Sequence, residues 1–263
     1  MRVIITKDYD QMSRTAALII AKQVRSKPAS VLGLATGSTP LGTYKELVRM
    51  HKKEGLDFSK VRTFNLDEYF GLNPSRPQSY HTFMFENLFN RINLRPGNIS
   101  IPDGMTEDVD RFCMDYERRI KSAGGLDLQL LGIGRDGHIG FNEPGSSLGS
   151  RTRLKTLAEE TVRDNARFFG GRKEVPRLAI TMGVGTIMEA RKLVMLASGA
   201  GKADAVKRSI EGPITAQVTA SALQLHPSVA VVIDEEAAST LRHRRYYVYV
   251  EKMAEDYEAE AGI

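Results

Sequence analysis

The chain has 263 residues, 41% hydrophobic and 26% charged, which suits a globular protein with a core large enough for one α/β domain. Thirty-seven basic against 32 acidic residues leave a net charge of +5; with no basic stripe interleaved with aromatics, nucleic-acid binding is not expected, while a modest positive field favours anionic metabolites. The single cysteine, Cys113, excludes an internal disulfide and a thiolate metal site, and no leader-like or membrane-length apolar run occurs, so a cytoplasmic protein with no membrane partner is expected.

Strand-like and helix-like stretches alternate along the chain. Residues 2–5 read as a strand, and 12–24 have helical apolar spacing with Asp8 or Asp10 at the start. A strand at 30–35 leads to a helix at 40–50 closed by Gly55, and a third strand spans 61–66. Helices follow at 80–89 and 109–120, then a leucine-rich, buried-looking strand at 126–131. Further strands lie at 178–181, 193–197 and 229–233, separated by helices near 186–190 and 202–210. This order predicts an α/β fold, a single doubly wound, mostly parallel sheet with helices on both faces in the Rossmann-like manner. No repeat or linker divides the chain, so residues 1–263 read as one domain. The segment 156–176 holds charge, Gly170-Gly171 and no clear period, which predicts a mobile lid.

Open parallel sheets bind ligands at the carboxyl ends of their strands. Four such ends carry chemistry. After the second strand come Thr36, Gly37, Ser38, Thr39 and Pro40, where small residues, hydroxyls and helix-start N–H groups predict an anion site, with Ser38 or Thr39 as a cap. After the third come Asp67 and Glu68, two adjacent carboxylates that a low-dielectric site cannot keep equally charged; Asp67 is the candidate general base. After 193–197 stands Ser198-Gly199-Ala200-Gly201-Lys202, a lysine at a helix start within reach of a phosphate, without P-loop spacing.

The fourth end, LLGIGRDGHIGFNEPGSS at 130–147, is the richest. Its glycines match the dinucleotide pattern, but Pro144-Gly145 block the helix that pattern needs, so no nicotinamide cofactor is expected. Asp136, His138 and Glu143 supply a base, an orienting group and a second acid. The other histidines, His51, His81, His226 and His243, read as ordinary surface or core residues. No histidine spacing typical of a metal site occurs, so neither a metal nor any other cofactor is expected.

With these ends in view, the chain resembles the glucosamine-6-phosphate deaminase family. The strings that carry the resemblance are LGLATGSTPLGTY at 32–44, TFNLDEY at 63–69, the 130–147 loop, SRTRLKTL at 150–157 and LQLHP at 223–227. The tail after Ala237 matches loosely. The resemblance implies a cofactor-free aldose–ketose isomerisation coupled to loss of ammonia, turning glucosamine 6-phosphate into fructose 6-phosphate. It implies that Asp67 takes the proton from carbon 2, and that His138, held by Asp136 and Glu143, opens the sugar ring. It implies phosphate binding by Arg167 and Lys202 with the Gly37-Ser38-Thr39 segment. It further implies a homo-oligomer, up to a hexamer, activated by N-acetylglucosamine 6-phosphate, with Arg153 and Lys155 matching an allosteric basic pair near Ser146. The alternative to that last reading is a plain basic strand face. Two rival functions are a 6-phosphogluconolactonase, which shares the glycine-histidine loop, and a non-catalytic sugar-phosphate sensor. Asn142-Glu143-Pro144-Gly145 and Asp67-Glu68-Tyr69 follow the deaminase pattern.

Overall fold

The computed structural model describes residues 1–260. The elements run β1 (Arg2–Thr6), α1 (Tyr9–Ser26), β2 (Val31–Leu34), α2 (Leu41–Glu54), β3 (Arg62–Asn65), β4 (Asp67–Tyr69), α3 (Tyr80–Asn87), β5 (Ile99–Ser100), α4 (Val109–Ser122) and β6 (Leu128–Gly132). They continue with β7 (Arg153–Thr156), α5 (Glu159–Asn165), β8 (Leu178–Thr181), α6 (Val184–Met188), β9 (Leu193–Ala197), α7 (Ala203–Ile210), β10 (Val229–Asp234) and α8 (Arg244–Glu260). Local chemistry sets several of these ends. The Asp8 carboxylate accepts from Gln11 N at the start of α1, and Gly55 closes α2 in the left-handed region at φ 67°.

Seven strands form one sheet in the order β1-β10-β9-β6-β2-β3-β5. Every pairing in it is parallel. Such a sheet is buried on both faces, and β2 and β9 are apolar throughout apart from Gly33. One core cluster packs Phe64, Leu131, Met195 and Val231 on one face; the other packs Leu32, Leu130, Val194 and Val232 against α1 and α2. The expected doubly wound α/β architecture is therefore present.

The winding reverses between β2 and β6. From β2 the sheet builds outward through β3 and β5, and from β6 through β9 and β10. Chain segments leaving these two neighbours part company at their carboxyl ends, which opens a crevice there.

A second sheet of three antiparallel strands, in the order β4-β8-β7, sits beside this crevice. Residues 178–181 form a strand as expected, but in this small sheet and not in the large one. β4 follows β3 after a single residue, Leu66, whose N–H donates to Leu34 O and whose carbonyl accepts from Met182 N. Leu66 thus ties the two sheets together immediately before Asp67. The segment 156–176 contains α5 and two short 3-10 turns. Its Leu157, Val162 and Val175 are buried with Tyr69 and Phe141 in a third, small core.

Candidate active site

Glycine decides how the 130–147 loop packs. A Cβ on Gly134 would lie 2.4 to 2.7 Å from three ring atoms of His138, so only glycine lets the imidazole fold back over the end of β6. Gly140 adopts φ +57°, and a Cβ there would stand 2.9 Å from Thr181 Oγ1 and 3.5 Å from Asp67 Oδ2. The loop therefore passes close to the Asp67 carboxylate. Asn142 locks it in place: its Nδ2 donates to Ile139 O and Met182 O, while its own carbonyl accepts from Thr219 Oγ1.

The crevice is a cavity of about 180 Å³ at the carboxyl ends of β2, β3, β6 and β9. It is lined by Thr36, Gly37, Ser38, Thr39, Asp67, Asp136, His138, Arg167 and Lys202, joining all four strand ends singled out in the sequence. Glu143 is buried behind His138.

His138 Nδ1 lies 2.7 Å from Asp136 Oδ1 and 3.4 Å from Glu143 Oε2. Burial alone would lower its pKa, but the two carboxylates outweigh it and push the imidazole up to about 9. Asp136, also desolvated, is pulled down to about 2 by its contact with His138. The ligand atoms of the three side chains lie within 4.8 Å of one another, near enough to gather a cation. The charge they already share is that of an imidazolium between two carboxylates, which suits proton transfer. Glu143 Oε1 in turn accepts from Ala158 N, at the head of the 156–176 segment.

The adjacent acids Asp67 and Glu68 have opposite fates. Glu68 accepts from Ser79 Oγ and from the N–H groups of Tyr69, Tyr80 and His81, so it secures the start of α3. Asp67 has only 6% of its surface exposed, and no hydrogen bond among the described residues reaches its carboxylate. Burial first, and the charge of Glu68 second, raise its pKa to about 8, with His138 opposing. A buried carboxyl group that faces a cavity without a partner among the described residues is a candidate acid or base.

At the other end of the cavity, α2 begins at Pro40 with no side-chain cap. The expected capping by Ser38 or Thr39 does not occur: Ser38 instead offers its carbonyl to Tyr9 Oη, which also receives Gly42 N–H. Lys202 Nζ donates to Ile133 O, and burial lowers its pKa. Asp234 shapes the turn before Lys202 by accepting from Ser198 Oγ and Gly199 N. Arg167 stands on the 156–176 segment with its guanidinium 4.7 Å from the Phe168 ring centre. The sequence reading missed Arg135, Tyr80, Asp164 and Asp234. Arg135 lines the cavity and faces Asp164 at 3.5 Å; it lies within the glycine loop, where a cation near a candidate anion site was a usable signal. Tyr80 reaches the cavity by tertiary packing against Phe141 and Tyr69, which no local pattern announces.

The three members of the expected second site lie apart from this cavity. Ser146 is buried with its hydroxyl unpartnered, and Arg153 Nη1 donates to Asn142 Oδ1 and Arg151 O. Lys155 is two residues further along β7, on the same face as Arg153. Among the histidines set aside in the sequence, His226 is buried and bonded through both ring nitrogens, to Ala190 O and Ser228 N. No helix among the described residues is long and apolar enough to cross a membrane.

Comparison with known proteins places these features in context. Residues 7–235 match the family model described as glucosamine-6-phosphate isomerases/6-phosphogluconolactonase. A glucosamine-6-phosphate deaminase of Thermoanaerobacter pseudethanolicus is 56% identical over 241 residues, covering 92% of this chain and 95% of that protein. One from Halothermothrix orenii is 54% identical over 241 residues, covering 92% of this chain and all of that protein. A solved structure described as a monomeric glucosamine-6-phosphate deaminase superposes with a TM-score of 0.90 at 48% identity, covering 91% of this chain and 99% of the other. The 6-phosphogluconolactonase of Trypanosoma brucei shares the fold, with a TM-score of 0.73 at 22% identity over 91% of this chain and 98% of the other.

Proposed function

The chain belongs to the family of glucosamine-6-phosphate isomerases and 6-phosphogluconolactonases, and we propose that it is a glucosamine-6-phosphate deaminase, converting glucosamine 6-phosphate and water into fructose 6-phosphate and ammonia. The observation that carries this reading is the partnerless buried carboxyl of Asp67 beside the Asp136–His138–Glu143 group. A reaction that moves a proton between neighbouring carbons needs such a base, whereas hydrolysis of a lactone does not.

The phosphate of the sugar enters between the uncapped start of α2, Lys202 and Arg167, where backbone N–H groups and two cations meet it. It is not consumed, and its binding energy fixes the sugar carbons against the acids. His138 enters as the imidazolium. Its Nε2 proton passes to the ring oxygen as the C1–O bond breaks, and the neutral imidazole then takes the proton of the anomeric hydroxyl, leaving the open-chain aldehyde. Asp136 and Glu143 orient the ring through Nδ1 and stabilise it whenever it is charged.

Asp67 must act as the carboxylate. Burial and the charge of Glu68 favour its protonated form, and the amino group on carbon 2 of the substrate, arriving as an ammonium, reverses that preference by direct attraction. Asp67 then removes the proton on carbon 2 while the imidazolium of His138 gives its proton to the carbon 1 oxygen, which forms the enolamine. Asp67 returns its proton to carbon 1, leaving an imine at carbon 2, and water replaces the nitrogen there, releasing ammonia. The residues 156–176, which bring Arg167 to the cavity and whose Ala158 binds Glu143, act as a lid that closes over the sugar.

We assign Ser146, Arg153 and Lys155 to a regulatory phosphate site for N-acetylglucosamine 6-phosphate in a homo-oligomer. Arg153 is bonded to Asn142, the neighbour of Glu143, so an anion drawing on Arg153 reaches the catalytic loop through one side chain. The compartment proposed is the cytoplasm. Ammonia and fructose 6-phosphate formed in equal amounts from glucosamine 6-phosphate, with no added cofactor, support the main reading. Rapid loss of 6-phosphogluconolactone with no ammonia would overturn it. A hyperbolic rate curve unmoved by the acetylated sugar would remove the regulatory site.

A further inference from the structure

α8 lies past the end of the family match at residue 235 and departs from the rest of the molecule in its surface. One face is anchored: Tyr247 packs against the core beneath β1, and Glu251 pairs with Arg2 at 2.6 Å. A second face is apolar and open. Tyr246, Tyr249 and Tyr257 are 63%, 61% and 69% exposed, and Val250 and Met253 are exposed between them. The spacing of these five residues, i, i+3, i+4, i+7 and i+11, sets them within one stripe about 100° wide. Monomer surfaces seldom line up large apolar side chains in this way, and tyrosine is enriched where proteins meet.

The charges say what covers the stripe. The helix begins with Arg244 and Arg245 and has no acidic residue in its first turn; its last turns read AEDYEAE, with no basic residue in the last turn. That polarity opposes the helix macrodipole, which favours acids at the start and bases at the end. It does not serve an isolated helix. It is complementary to a second copy of itself running the other way.

The register agrees. At 100° per residue, Arg245 and Asp256 flank the stripe on the same side, at opposite ends. Same-side flanking positions meet across an antiparallel helix pair. With a two-fold axis near residue 251, Tyr246 falls beside the partner's Tyr257, Tyr249 beside the partner's Met253, and Arg245 beside the partner's Asp256. We propose that α8 is a self-association surface, through which two copies of this chain pair their C-terminal helices antiparallel about a two-fold axis. The contact is independent of the catalytic cavity and of the Ser146–Arg153–Lys155 site. A helix of 17 residues is about 25 Å long, so the area is that of a small interface.

Sedimentation equilibrium on the full chain, from about 1 to about 100 µM, tests this. A mass that rises with concentration through a two-fold step is expected. Tyr249→Asp and Arg245→Asp each weaken that step at least tenfold, about 1.4 kcal/mol, and Arg245→Asp combined with Asp256→Arg restores it. Ammonia release and circular dichroism stay as in the parent, because α8 does not touch the cavity. A monomer throughout, an assembly indifferent to both single substitutions, or a failure of the double charge reversal to restore pairing would each overturn the proposal. So would α8-dependent binding to phosphatidylglycerol vesicles by a chain that never dimerises.

Discussion

Two buried aspartates lie just beyond opposite ends of the large sheet's strands, Asp127 before β6 and Asp67 one residue past β3, and their surroundings differ. Asp127 enters β6 at the amino edge, 3% exposed, and is fully engaged: Lys27 Nζ lies 2.8 Å from both its oxygens, Arg191 Nη1 lies at 3.2 Å, and Val31 N–H donates at 2.9 Å. It ties α1 and β2 to β6 and spends its charge on the fold. Asp67, just past the carboxyl end of β3, is 6% exposed and has no such partners among the described residues. Desolvation that Asp127 offsets with cations is left uncompensated at Asp67 and appears as a raised pKa. Burial alone does not separate a structural acid from a catalytic one; the partners do.

The comparison can be broken most forcefully at Asp67. Asp67→Asn keeps the shape and removes the base, so ammonia release at saturating substrate falls about a thousandfold or more. The same change stabilises the protein. The folded pKa of about 8 exceeds the ordinary 3.8, so the native state holds a proton that the unfolded state releases as pH rises through that window. Asp67 therefore costs stability increasingly between those values, and Asn lifts the cost, by an amount on the order of a few kcal/mol. Thermal melts at pH 4 and pH 8 check this: the gain appears at pH 8 and is absent at pH 4.

Next in size, Lys202→Ala and Arg167→Ala each raise KM about 10- to 100-fold, the value of a charge-assisted contact to phosphate. Initial rates over a wide substrate range separate this from a loss of kcat. Asp127→Ala should do the reverse of Asp67→Asn: unfolding free energy falls by about 2 to 3 kcal/mol, because a buried N–H and two cations lose their acceptor, while kcat stays within about twofold. Urea denaturation paired with ammonia release reads both. The smallest effect concerns the pH profile. For the free enzyme, kcat/KM rises as Asp67 ionises through about 8 and falls as His138 loses its proton through about 9. Glu143→Gln removes one of the two carboxylates that raise His138, so the alkaline limb moves down by about one pH unit.

Much of this site was legible in the sequence because its residues sit in short local runs at strand ends. The apolar strands at 193–197 and 229–233, and the Asp136, His138 and Glu143 loop, needed only hydrophobic patterning and residue chemistry. The pairing of the small sheet was not legible. β8 reads as a strand and β7 (RLKT) only as an alternative basic strand face, while β4, three residues long and acidic at two of them, carries none of the apolar alternation that marks a strand. Both exist because β8 lies between them in space. The same limit hid the split between the neighbours Asp67 and Glu68. Glu68 is engaged by Ser79, Tyr80 and His81, eleven or more residues away, and only the fold brings them to it. α8 was missed for another reason: its apolar stripe faces outward, where a reading that seeks core residues does not look.

The central claim is that Asp67 carries a proton from carbon 2 to carbon 1. Glucosamine 6-phosphate deuterated at carbon 2, turned over in light water, tests it directly by mass and magnetic resonance analysis of the product. Slower turnover of the deuterated sugar, with part of the label recovered at carbon 1 of fructose 6-phosphate, is the predicted result. An undiminished rate with no label at carbon 1 would contradict the account.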